Sequence, residues 1–124
     1  MTKKRESRVL RLVFNHCQRL FHPIAGILES IPVNPDLLPK ANNALTLMAG
    51  NPGSGLPDLP DDVLKLIFVK FSDFIIAQQI LEHQHPEEIP PDPPEGVTDE
   101  EILAFVMRDL LTNQPLLRDP RENH

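Results

Sequence analysis

His16 and Cys17 set a base beside a thiol, the first pair in this chain whose types could do chemistry. Nucleophilic catalysis needs the base within hydrogen-bond reach of the nucleophile, and sequence neighbours do not face each other on a helix. Cys17 therefore reads as a small apolar residue on a helix face. It is the single cysteine, so no intrachain disulfide can form, a usage that suits a reducing compartment. The second candidate is Glu82-His83-Gln84-His85, where two imidazoles and a carboxylate could approach a metal ion. On a helix the two histidines point apart, and no third ligand follows at a metal-binding spacing. They read as exposed residues at a helix end. The chain has no phosphate loop, no paired-cysteine motif and no Gly-x-Ser-x-Gly elbow. Without a convergent polar set, the expectation is a protein that is not an enzyme and holds no cofactor or metal.

The elements that position these residues are helical. Over 6–31 the polar residues Arg8, Arg11, Asn15, Gln18, Arg19 and His22 recur at steps of three and four. Val9, Leu12, Val13, Cys17, Leu20 and Ile24 fill the opposite side, which is the pattern of an amphipathic helix. Pro23 removes a backbone donor inside it and predicts a kink or a split. Asn34-Pro35 opens a second helix over 35–49, and Gly50 is placed to end it. Residues 51–58 (NPGSGLPD) are turn chemistry. A third helix, 59–83, opens on Pro60, Asp61 and Asp62. Apolar residues run nearly around it and leave a thin polar stripe of Asp62, Lys65, Ser72, Asp73 and Gln79. Such a helix is expected at the centre of the core, with part of its surface kept for a partner. Residues 86–96 (PEEIPPDPPEG) hold five prolines and four acids, an extended acidic linker. Thr98-Asp99-Glu100-Glu101 is a capping box that opens the last helix, 98–113. No alternating apolar run bounded by turns suggests a strand. The fold class is all-α: a bundle of four to five helices in one domain, 1–113, followed by a flexible tail, 114–124.

Two segments resemble parts of known families. Arg19 to Glu29 (RLFHPIAGILE) resembles the phospho-acceptor helix of sensor histidine kinases. In those families the acceptor histidine stands five residues before the proline; here that place holds Gln18, so phosphotransfer does not carry over. Leu59 to Phe71 (LPDDVLKLIFVKF) resembles the opening of an F-box through Leu59, Pro60, Asp62, Val63, Leu64, Ile67, Phe68 and Phe71. That resemblance covers thirteen residues and implies docking into the adaptor subunit of a cullin ubiquitin ligase. The second half of an F-box, an apolar helix ending in a basic residue and a tryptophan, has no counterpart, since the chain contains no Trp.

Charge is divided unevenly. Residues 1–22 carry six Lys or Arg (Lys3, Lys4, Arg5, Arg8, Arg11 and Arg19) against Glu6, a net of +5; the whole chain is −6, which leaves −11 for the rest. That basic patch could meet a nucleic acid, or it could be a solvated face that complements the acidic remainder or a second copy. Overall acidity and the absence of Trp and Tyr speak against nucleic acid, whose binding rests on phosphate neutralisation and aromatic stacking. No apolar stretch approaches the length of a membrane span, and the N-terminus lacks the apolar core of a signal peptide, so a cytoplasmic protein is expected. The functional expectation is a small interaction module, an adaptor, regulator or chaperone-like protein. Its partner is another protein or itself, as a homodimer. The expected contact residues are Leu59, Pro60, Leu64, Ile67, Phe68 and Phe71. The rival expectations are a nucleic-acid-associated regulator using the basic N-terminal helix and an F-box-like adaptor using residues 59–71.

Overall fold

A computed structural model describes residues 7–85, 87 and 93–112, and these form a bundle of α-helices with no strand among them. The elements are α1 (Arg8–Phe21), α2 (Ala25–Glu29), α3 (Leu38–Gly50), α4 (Asp61–Gln84) and α5 (Asp99–Thr112). One-turn 3-10 segments, His22–Ile24 and Pro35–Leu37, precede α2 and α3.

Local chemistry sets the helix ends. Ser7 caps α1, its Oγ accepting from the Leu10 N–H at 3.3 Å. Pro23 divides the first amphipathic stretch: α1 stops at Phe21, a 3-10 turn follows, and α2 resumes for five residues. Asn34 accepts from the Asp36 N–H at 3.1 Å and turns the chain into the Pro35–Leu37 segment. The third helix expected from the sequence is α4. It starts at Asp61 because Pro60, in extended backbone, offers only its carbonyl, which accepts from the Val63 and Leu64 N–H groups. At α5 the capping box is present: Thr98 Oγ1 accepts from the Glu101 N–H at 3.2 Å, and Glu101 Oε1 faces the Thr98 N–H at 3.5 Å.

α4 packs against every other helix of the bundle, while α3 lies mainly along α5. α1 runs antiparallel to α4. Phe21 near its end meets Phe68 and Phe71 with ring centroids 5.2 and 6.0 Å apart, and Phe14, two turns earlier, borders Ile75 and Ile76. The core gathers Phe21, Leu28, Leu45, Leu66, Ile67, Phe71, Met107 and Leu110, all essentially inaccessible.

Two lysines of α4 tie down other helices at their C-terminal ends. Lys65 Nζ donates to the Leu28 carbonyl in the last turn of α2 at 2.9 Å. Lys70 Nζ donates to the Leu110 carbonyl in the last turn of α5 at 2.6 Å. Such carbonyls stand at the negative end of the helix dipole, and the Leu28 carbonyl also accepts from the Ile31 N–H at 3.1 Å. Asp73, expected on the outward polar stripe, is buried beside Lys70 instead, 5% exposed. Of the acidic linker, Pro94 to Val97 form a turn closed by the Val97 N–H on the Pro94 carbonyl; residues 86 and 88–92 lie outside the described ones, as does the tail, 114–124.

Candidate interaction surface

Burial along α4 is uneven. Between Val63 and Phe71 only Lys65 and Phe68 escape full burial; from Ser72 to Gln84 only Asp73 and Ile75 are buried. The cause is the length of the neighbours. The Leu28 carbonyl of α2 reaches Lys65, so α2 joins α1 and α3 over the first half of α4, and among the described residues no short helix of this kind follows over the second. Ile76 and Ile80, one turn apart, are 42% and 50% exposed on that uncovered half.

A groove runs beside them between α1 and α4. It encloses about 360 Å³ and is walled by Phe14, Phe21, Phe68, Ile75 and Ile76, with Gln18, His22 and Ser72 as its polar members. That volume is near the low end of the roughly 300–1,000 Å³ of small-molecule pockets, and the walls are largely apolar. Cys17 also lines it, but burial pushes the thiol pKa up to about 11, so at neutral pH the sulfur is protonated and unreactive. A second hollow of about 760 Å³ lies on the other side of α1, between Val9, Phe74, Ile102 and Phe105, with Gln78, Glu101, Arg108 and Asp109 around it. Phe105 is 69% exposed there.

The residues expected from sequence to meet a partner divide. Leu64, Ile67 and Phe71 are committed to the core, where they touch the chain's own helices. Leu59 and Phe68 are half-buried and Pro60 is exposed. The row that an F-box would present for docking is thus turned largely inward. Phe14, Ile27, Val33, Leu47, Ile76, Ile80 and Phe105, the large apolar residues left outside among the described ones, were not among the expected contacts. Their exposure depends on where other helices stop, which no single-helix pattern records.

Of the basic patch, Lys3, Lys4 and Arg5 lie outside the described residues. Arg8 holds the start of α1 to α5, donating to the Val97 carbonyl at 3.0 Å and pairing with Asp99 at 2.9 Å. Arg11 and Arg19 are exposed on α1. Arg19 donates to His16 Nδ1 at 2.7 Å, which leaves the imidazole hydrogen on Nε2. His85 sits 3.7 Å from Glu87, and among the described residues no group of three or more His, Cys, Asp or Glu is gathered as for a metal ion. No described helix is long and apolar enough to cross a membrane.

His16 is buried edge-on to Phe71, and Nε2 has no hydrogen-bond partner. Burial, with the Arg19 charge second, lowers its pKa below the ordinary 6.5. Its neutral form therefore favours the fold above pH 6.5, and this contribution is lost as the pH falls through the folded-state value, because the unfolded chain takes up the proton first. Denaturant titrations between about pH 7 and pH 5 should show stability falling with a slope of at most about 1.4 kcal/mol per pH unit from this one group. The His16→Phe variant should show a shallower fall; parallel curves would assign the loss to other groups.

No family model, curated protein or solved structure matches this chain, so its function is argued from the surface itself.

Proposed function

We propose that this chain is a non-enzymatic protein-interaction module. Its contact surface is the α1–α4 groove together with the exposed second half of α4, and it receives an apolar helix. The observation that carries this proposal is the change of burial along one continuous helix. Most of the first half of α4 is buried, Val63 to Phe71 apart from Lys65 and Phe68, whereas the second keeps Phe74, Ile76, Ile80 and Leu81 only partly covered. Full burial of a large apolar side chain is worth roughly 1.5–3 kcal/mol. Ile76 and Ile80, one turn apart on the groove side, form a patch of the kind that partners cover, while Phe74 faces the second hollow. The groove extends this patch with Phe14 and Phe68, so an incoming helix would have a ridge to lie on and a channel for its side chains.

Paired substitutions on α4 test this. Ile76→Asp and Ile80→Asp place a carboxylate where solvent already reaches. Both variants should stay helical and unfold within about 1 kcal/mol of the parent. In affinity capture from an extract of the host, they should lose about tenfold or more of whatever the parent retains. Val69→Asp is the control for folding. Val69 is 1% exposed, and an unpaired buried carboxylate there costs several kcal/mol. Folded Ile76 and Ile80 variants that retain the parent's bound set would remove the surface from consideration.

A further inference from the structure

We infer that the hollow between α1, α4 and α5 is filled from within the chain, by Leu116 and Leu117 of the segment that follows α5. This hollow is a different surface from the α1–α4 groove, and the inference does not rest on the docking role given to that groove.

The hollow lies where the chain leaves the bundle. Lys70 Nζ, 2.6 Å from the Leu110 carbonyl, fixes the last turn of α5 against the middle of α4. Phe74, one turn further along α4, is a wall of the hollow, and Arg108 and Asp109 border it from α5. Thr112 is the last described residue of α5, three positions past Asp109. The residues after it therefore start within about one helical turn of the hollow's edge. Pro115 has no amide hydrogen to give to the Leu111 carbonyl, which opposes continuation of α5 along its axis.

Reach and composition then select the leucines. Along α5 the hollow extends from Glu101 to Asp109, about 12 Å. An extended chain advances about 3.3 Å per residue, so Leu116 and Leu117 can return over most of that length. They are the only large apolar residues in the stretch 113–124 (NQPLLRDPRENH). The hollow encloses about 760 Å³, and Val9, Phe74 and Val97 in its walls are each only half-buried. Seating the leucines there takes apolar surface of both sides out of water. A tethered segment does so at a high effective concentration, which a separate molecule would have to exceed.

The test is disulfide trapping in the full chain. Gln78→Cys places a thiol in the wall of the hollow, and Arg118→Cys places one beside the leucines while leaving both intact. Gln79→Cys with Arg118→Cys is the comparison, since Gln79 is exposed about 100° further around α4. Cys17 stays out of the exchange because its buried thiol is protonated. With glutathione disulfide at low protein concentration, the Gln78 pair should close within one chain about tenfold more readily than the Gln79 pair. Adding Leu116→Asp and Leu117→Asp should bring it down to the level of the Gln79 pair. Equal closure of the two pairs overturns the inference, as does closure that survives loss of both leucines. Disulfides that form only between chains, and increase with concentration, also overturn it, because the occupant is then a second copy. If Gln78→Cys unfolds, the methyl resonances of Val9 and Val97 carry the same test. They should shift in the Leu116→Asp, Leu117→Asp protein, and unchanged resonances overturn the inference.

Discussion

Replacing Phe71 by alanine should lower the unfolding free energy by about 3–5 kcal/mol. Phe71 is wholly inaccessible near the middle of α4. Its ring meets Phe21 and His16 from α1, at 6.0 and 6.4 Å between centroids. Truncation removes the transfer free energy of the ring and leaves a cavity. The surrounding helices cannot close it, because Lys65 and Lys70 on the same helix hold the ends of α2 and α5. Domains of this kind have total stabilities of roughly 5–15 kcal/mol, so the loss is a third or more of the whole. Urea denaturation followed by helical circular dichroism measures it directly. The matched control is Phe105→Ala, whose parent side chain is 69% exposed and whose loss should stay within about 0.5 kcal/mol. Similar costs at both positions would mean that the core does not lie where α4 crosses α1. Because Phe71 is interior, any effect of its truncation on binding should track the unfolded fraction rather than a lost contact.

The sequence makes legible those features that a few neighbouring residues decide. Pro23 divides the first helix, Asn34 turns the chain into the next, and Thr98 and Glu101 cap the last. In each case the hydrogen-bond partners lie within four residues. α1 is equally legible: its apolar and polar residues fall on opposite sides, and Leu10, Val13, Cys17 and Phe21 are buried as that pattern requires.

α4 is not legible in this way. Apolar residues surround it, so periodicity gives no direction for its inner face. Its burial follows instead from how far α2 extends and where α1 crosses. For the same reason Leu64, Ile67 and Phe71 went to the core while Ile76 and Ile80 stayed outside. Asp73 shows the limit most clearly. Its type suggests solvent, yet it is buried, because Lys70 one turn before it is drawn inward to a carbonyl forty residues away in sequence.

Lys70→Met is expected to cost about 3–5 kcal/mol, although methionine keeps most of the aliphatic stem and fits an apolar interior. Lys70 is 2% exposed. Burial lowers its pKa from 10.5, and the Asp73 carboxylate draws it back up. The cation meets two needs at once. It donates at 2.6 Å to the Leu110 carbonyl in the last turn of α5, and it balances the charge of Asp73. Methionine supplies neither, so one carbonyl loses its donor and a carboxylate is left in the interior without the nearby cation. The second loss should dominate, since a buried charge stripped of its counter-charge is costlier than a neutral acceptor stripped of its donor. A double-mutant cycle separates the two. If the charge is the larger part, Lys70→Met with Asp73→Asn should be more stable than Lys70→Met alone, despite carrying two changes. If adding Asp73→Asn destabilises the Lys70→Met protein further, then the Leu110 cap dominates. The hydrogen exchange of the last α5 amides, Asp109 to Thr112, should then rise in Lys70→Met ahead of global unfolding.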